Sequence, residues 1–219
     1  MVKDIAKYID YTFLKADAPE ASFEKLCREA QQYGFYSVCV PLYAVSKCRN
    51  LMGAGGKIAA VISFPLGYSS CSSKVFETGR ALKDGADEID AVINISAFKS
   101  GMTDYVLNEL KEIRKAAAEY VLKIIIETCY MNDKEIIALC GLVSESGADF
   151  IKTSTGFGPR GADIKDIELI KRNIPARVKI KASGGIKTFE QAASFIKAGA
   201  SRIGTSSMLI KRTASDRDI

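Results

Sequence analysis

The chain predicts an α/β fold, a single-domain TIM barrel in which eight parallel strands are each followed by a helix. Three observations predict it. Apolar stretches of strand length alternate with helical patterns eight times along 219 residues. A short glycine punctuation recurs before several strands. Several strand segments carry charge on one face, although a parallel barrel strand has no freely solvated face. The alternative, an open doubly wound sheet, normally holds fewer strands and often a glycine fingerprint after the first one. Here Gly53-Ala54-Gly55-Gly56 follows a helical stretch instead of opening one, and reads as a loop.

Taken in order, strands are expected at 8–13, 36–41, 57–64, 88–94, 121–128, 149–154, 177–183 and 201–206. Between them lie helical spacings such as Phe23-Leu26-Cys27-Ala30, Val106-Leu110-Ile113 and Ile136-Ile137-Cys140. The punctuation is Gly34-Phe35, Gly85-Ala86-Asp87, Gly147-Ala148-Asp149 and Gly199-Ala200-Ser201. Glycine adopts the left-handed conformation that ends a helix, so each copy marks a helix stop before a strand.

In the fourth strand Ile89, Ala91 and Ile93 share one face, while Glu88, Asp90, Val92 and Asn94 share the other. In the fifth, Leu122, Ile124 and Ile126 oppose Lys123, Ile125 and Glu127; in the seventh, Val178, Ile180 and Ala182 oppose Lys179 and Lys181. The apolar faces suit the helices, so the charged ones point into the barrel. Burying charge is costly unless it is paired, which implies a mutually satisfied polar cluster inside. Lys123, Glu127 and Lys179 read more simply as structural ion pairs lower in the barrel.

Hydrophobic content of 47% with 26% charged residues fits one globular domain, expected to span 1–210 with a frayed polar tail at 211–219. There is no apolar run of membrane-spanning length and no signal-peptide core after Met1, so the expected location is the cytoplasm, away from membranes. The net charge of +5 is spread along the chain, which argues against nucleic acid and for a small anionic partner. The six cysteines form no C-x-x-C pair and read as reduced thiols packed as small hydrophobes. A homo-oligomer is the expectation for a soluble enzyme. The chain contains no histidine. That removes the commonest general base and metal ligand and every Ser-His or Cys-His pair, leaving lysine and carboxylate for any chemistry.

Lys152, Lys181 and Asp90 fall toward the C-terminal ends of their strands, where such barrels place catalytic groups, and the two lysines lie on adjacent inward-facing strands. An ammonium beside another ammonium, with little water, loses its proton more easily and becomes an amine that attacks carbonyls. Lowering its pKa from about 10.4 to about 7 or 8 costs roughly 4 kcal/mol, within reach of a neighbouring cation and partial desolvation. Either lysine could be the nucleophile. Asp10 could bind a hydroxyl, assist proton transfer or cap the next turn. Thr153-Ser154-Thr155-Gly156-Phe157-Gly158 could bind hydroxyls or be plain turn chemistry. Ser183-Gly184-Gly185-Ile186 and Gly204-Thr205-Ser206-Ser207 follow the last two strands, the usual phosphate cradle of a TIM barrel.

At these residues the chain resembles the deoxyribose-phosphate aldolases, class I aldolases on a TIM barrel. The resemblance runs over nearly the whole length. It rests on Ile9-Asp10-Tyr11-Thr12-Phe13-Leu14-Lys15, Phe64-Pro65-Leu66-Gly67, Lys74-Val75-Phe76-Glu77, the stretch from Gly85 to Asn94, Phe150-Ile151-Lys152-Thr153-Ser154-Thr155-Gly156 and Lys181-Ala182-Ser183-Gly184-Gly185-Ile186. It implies Lys152 as Schiff-base nucleophile, Lys181 as the cation that lowers its pKa and takes part in proton transfer, Asp90 as acid/base partner and Asp10 as an assistant. It implies a sugar-phosphate substrate held by Thr153, Thr155, Gly156, Gly184, Gly185, Lys187, Gly204, Ser206 and Ser207, and neither cofactor nor metal. Tyr11, Lys187 and Phe98 depart from the family's usual histidine, arginine and smaller aliphatic residue, departures expected to bear on rate and preference. Competing readings are a sugar-phosphate isomerase that needs no imine, and a non-catalytic sugar-phosphate sensor.

Overall fold

A computed structural model describes residues 4–207. Eight parallel strands close into a barrel in sequence order. They are β1 (Ile9–Thr12), β2 (Ser37–Pro41), β3 (Ile58–Ile62), β4 (Glu88–Val92), β5 (Val121–Ile125), β6 (Phe150–Lys152), β7 (Lys179–Ser183) and β8 (Arg202–Thr205). Each lies within its expected segment; β2 and β7 run to its end, and the other six stop short of it because the residues after them leave the ladder to build loops. The helices are α1 (Glu20–Tyr33), α2 (Val45–Met52), α3 (Cys71–Lys83), α4 (Ile95–Lys99), α5 (Thr103–Ala117), α6 (Asp133–Glu145), α7 (Ile164–Asn173) and α8 (Phe189–Ala198). The tail expected at 211–219 lies outside the described residues, as does the end of the unit expected at 1–210.

The glycine punctuation does what its chemistry requires. Gly34, Gly85, Gly147 and Gly199 all have positive φ, and the next residue, Phe35, Ala86, Ala148 or Ala200, is buried as the chain turns into its strand. Between strands and helices lies one continuous apolar layer that includes Ile89, Ala91, Ile93, Leu122, Ile124, Ile126, Ile180 and Ala182. In α6, Ile136 and Cys140 join this layer whereas Ile137 faces solvent. Four cysteines, Cys27, Cys39, Cys48 and Cys140, are buried, and all six are free. Among the described residues no helix is long and apolar enough to cross a membrane.

Two other sequence readings change. Lys179 opens β7 at the exposed N-terminal rim, with its ammonium 5.8 Å from the centre of the Phe150 ring, and is not an interior ion pair. Tyr11 and Phe98 pack in the outer apolar layer; Tyr11 donates to Glu29 in α1 at 2.8 Å.

One buried ion pair lies in the helical layer. Lys74 of α3 donates to Glu109 of α5 at 2.7 Å and to the Val92 carbonyl at the end of β4 at 2.9 Å, with both side chains fully buried. Burial pushes Lys74 below its usual pKa and Glu109 above its own, so each depends on the other to stay charged. Lys74→Met is expected to lose about 3–5 kcal/mol of stability by stranding Glu109, while Lys74→Met with Glu109→Leu should recover most of it. Urea denaturation of the two variants checks this, and equal losses would contradict it.

Candidate active site

The alternation that turns Glu88 and Asp90 of β4, Lys123 of β5 and Lys181 of β7 inward brings them together with Lys152, the last residue of β6. Lys152 Nζ and Lys181 Nζ each lie 2.7 Å from the same oxygen, Asp90 Oδ2. Lys123 Nζ lies 2.7 Å from Asp90 Oδ1 and 2.6 Å from Glu88 Oε2. Lys181 also pairs with Asp10 Oδ2. At the start of β8, Arg202 places Nη1 2.7 Å from Asp10 Oδ1 and 3.2 Å from Glu88 Oε2. Ser37 of β2 donates to Asp10 Oδ1 at 2.7 Å.

Asp10 therefore caps no turn. It sits beneath the site as a fully buried ion-pair partner. Of the three residues read as simple structural pairs, only Lys123 is one. Glu127 lies beyond the end of β5 in the left-handed region, with φ of 50°, and its carboxylate accepts from the Thr155 N–H at 3.2 and 3.3 Å and from the Thr155 hydroxyl. It anchors the loop after β6.

The electrostatics separate the two lysines. Burial pushes Lys152 below the usual lysine pKa; Asp90 opposes the shift and Lys181 adds to it. Lys181 is as deeply buried, yet Asp10 and Asp90 together hold it above the ordinary value. Burial alone would raise Asp90, but Lys123, Lys152 and Lys181 hold it well below the carboxylate range. Asp10 is likewise lowered against its burial, by Lys181, Lys123 and Arg202.

A cavity of about 370 Å³ opens at the C-terminal mouth, and of the charged cluster only Lys152 forms part of its wall. Of the residues expected to hold the substrate, Thr155, Gly156, Gly184, Gly185, Lys187, Gly204 and Ser206 line it too. Thr153 and Ser207 do not. The Thr153 hydroxyl is buried, accepting from the Ser183 N–H at 3.2 Å and tying β6 to β7, and the Ser207 N–H donates to Thr205 Oγ1 at 3.0 Å. Thr12, Lys15, Phe157 and Thr205, which the sequence reading held within motifs but gave no role of their own, line it as well.

Glycine creates the space. A Cβ on Gly204 would meet the Ser183 Cβ at 2.9 Å and the Lys181 Cε at 3.2 Å, so its bareness lets Lys181 run up the barrel. A Cβ on Gly161 would meet the Gly184 carbonyl oxygen at 2.1 Å; this contact, invisible in the linear pattern, closes the loop after β6 against the turn after β7. At the start of α8 the Gln191 side chain already accepts from the N–H groups of Lys187 and Thr188, at 2.8 and 3.2 Å. Among the described residues, the N–H groups of Gly185 and Ile186 have no backbone acceptor.

A second cavity of about 990 Å³ adjoins the first through Leu14, Lys15 and Phe157; a third of about 730 Å³ lies at the opposite mouth, against Arg202 and Lys179, away from Lys152. No group of three or more acidic or cysteine side chains among the described residues is placed to hold a metal ion. The arrangement can present one amine of lowered basicity to a carbonyl compound, with an ionised carboxylate and a protonated lysine in contact behind it.

The model of a family described as DeoC/LacD family aldolase matches residues 5–212. Among curated relatives, the deoxyribose-phosphate aldolase of Thermococcus gammatolerans is 51% identical over 209 residues, covering 93% of each chain. That of Caldicellulosiruptor saccharolyticus is 51% identical over 209 residues, covering 94% of this chain and 95% of its own. Among solved structures, an aldolase called QR15 superposes with a TM-score of 0.91 at 46% identity, covering 94% of this chain and 93% of its own. A deoxyribose phosphate aldolase from Aeropyrum pernix, described as a tetramer, superposes with a TM-score of 0.85 at 33% identity, covering 93% of this chain and 87% of its own.

Both Asp10 and Asp90 titrate lower in the folded chain than in the unfolded one, so the stability they contribute is present above the unfolded value of about 4 and lost as pH falls below it. The urea midpoint is expected to hold between pH 7 and 5 and to drop between pH 4 and 3. Asp10→Asn should flatten that drop. A wild-type midpoint unchanged down to pH 3 would contradict the arrangement.

Proposed function

The chain belongs to the DeoC/LacD family of aldolases, and from that premise we propose that it cleaves 2-deoxy-D-ribose 5-phosphate reversibly to D-glyceraldehyde 3-phosphate and acetaldehyde through an imine on Lys152. It is a lyase. The observation that carries the assignment of the amine is positional: Lys152 alone among the clustered charges reaches the cavity, and burial and Lys181 both act to free its lone pair.

In the proposed cycle the Lys152 amine attacks the C1 aldehyde of the open-chain sugar. The carbinolamine loses water to give a protonated imine. Removal of the C3 hydroxyl proton lets the C2–C3 bond break, its electron pair flowing into the iminium, and D-glyceraldehyde 3-phosphate leaves. The remaining enamine takes a proton at C2, and water returns acetaldehyde and the free amine. Asp90, ionised and 2.7 Å from both amines, accepts and returns protons; Lys181, held protonated, supplies the compensating charge. Asp10 keeps Lys181 protonated and is a positioning group.

The phosphate is assigned to the N–H groups of Gly185 and Ile186, with Ser206 and Lys187 beside them. Lys187 offers a point charge in place of an arginine fork, so its contribution is electrostatic and salt-sensitive. Thr155 and Gly156 are assigned to the sugar hydroxyls. The same reading places the enzyme in the cytoplasm as a homo-oligomer, acting on a small molecule and not on nucleic acid; the tetramer of the Aeropyrum pernix enzyme supports the assembly.

Borohydride reduction in the presence of acetaldehyde is expected to attach a two-carbon adduct to Lys152, located by peptide mass spectrometry. An unmodified Lys152 in active protein would favour an imine-free isomerase and contradict the proposal. Lys152→Ala should lower kcat by at least about a thousandfold with an unchanged urea midpoint, since it removes the covalent step. Retained turnover would refute the assignment. Lys187→Ala should raise KM for the phosphorylated substrate about tenfold or more and leave turnover of unphosphorylated deoxyribose unchanged; equal effects on both would contradict its place beside the phosphate.

A further inference from the structure

The barrel interior holds four cations, Lys123, Lys152, Lys181 and Arg202, against three carboxylates, Asp10, Glu88 and Asp90, and each residue is at most 6% exposed. With every group ionised the buried cluster carries one surplus positive charge. Such a surplus is costly, and the least expensive remedy is for one cation to give up a proton. The contacts decide which. Lys123 bridges Glu88 and Asp90, Lys181 bridges Asp10 and Asp90, and Arg202 bridges Asp10 and Glu88. Lys152 has a single carboxylate, Asp90, and shares the oxygen it touches with Lys181.

Arginine cannot lose its proton in a protein. Here the guanidinium is also packed against aromatic faces, its carbon 3.5 Å from the centre of the Tyr36 ring and 5.5 Å from that of Phe150. It therefore holds a permanent share of Asp10 and Glu88 at the base of the barrel. We infer that Arg202 is a positioning residue for the reaction: by engaging these two carboxylates from the far end of the cluster, it makes Lys152 the surplus cation and so the free amine.

The groups facing both ends are consistent with this role. Lys152 is met by Asp90 of β4, Lys181 of β7 and the Cys39 thiol of β2, which burial keeps protonated. Lys123 reaches it only through Asp90. Arg202 is met by Asp10 of β1, Glu88 of β4 and Tyr36 ahead of β2, whose hydroxyl accepts from Lys57 at 3.0 Å. Lys179, Lys7 and Asp4 line the opening beneath it, the last two paired to each other at 3.1 Å. None of the groups below Arg202 is a free carboxylate that could replace Asp10 or Glu88.

The inference rests on Lys152 being the imine-forming residue, and one experiment separates the two claims. The rate of reductive trapping of acetaldehyde at Lys152, read by peptide mass spectrometry, is measured from pH 5 to 10 in the full chain. Arg202→Met removes the surplus and should move the midpoint up by about one pH unit. Glu88→Gln enlarges the surplus and should move it down. The double variant restores an excess of one cation, and its midpoint should return close to the wild-type value; purely structural damage would instead accumulate. Arg202→Lys, which keeps the charge, should titrate near wild type.

A midpoint unmoved by Arg202→Met, as when Asp10 or Glu88 takes up the proton instead, would overturn the inference while leaving the function intact. If Arg202→Met does not fold, a Glu88→Gln midpoint that fails to fall overturns it equally. If no pH gives an adduct at Lys152 in the wild-type chain, the functional reading itself falls.

Discussion

A cation more than the carboxylates can neutralise, sealed inside a closed barrel, is the constraint on which the rest of this structure depends. It has force because the clustered side chains are buried. The outward strand faces and the inner helix faces merge into one apolar layer, so a charge within the barrel finds its partners among the other charges of the cluster. In water the same seven side chains would hold their ordinary protons. The scaffold's contribution to the chemistry is thus to make proton affinity depend on how many partners each side chain has, and to give Lys152 the fewest.

The cluster's orientation along the barrel matters as much as its composition. Arg202 and Glu88 sit at the starts of their strands, Asp90 and Lys181 midway, and Lys152 at the end of the shortest strand. The network is strongly paired at the base and opens to the cavity at one amine. Glycine completes the upper half: Gly204 gives Lys181 room, while Gly161 and Gly184 bring two loops into backbone contact around the cavity. A rigid, fully paired base under a lightly paired nucleophile places stability and reactivity in different layers of the same interior.

The linear sequence exposed most of this, for identifiable reasons. Period-two alternation in β4, β5 and β7 placed Glu88, Asp90, Lys123 and Lys181 inside, because a one-residue register shift would bury charge among the helices. The glycine stops located four of the strand entries. Arg202 escaped notice although the same alternation carries it inward two residues before Gly204; in a strand of four residues, with a glycine at the third, the pattern is too short to read. Lys179 shows the opposite failure, since alternation gives a face but not a height, and the first residue of β7 stands at the rim. Tyr11 stood out only through the resemblance; as the neighbour of inward-facing Asp10 it points to the opposite side of the sheet. Gly161 had no local signal, because its role depends on a chain segment 23 residues away.

The most direct measurement of this account is the hydrogen count on the two neighbouring amines, obtained by neutron diffraction from a crystal of the unliganded protein near neutral pH. The account predicts two deuterons on Lys152 Nζ and three on Lys181 Nζ, with Asp10, Glu88 and Asp90 all bare. Three deuterons on Lys152 alongside three bare carboxylates would show that the barrel tolerates its surplus charge, and the central claim would be wrong.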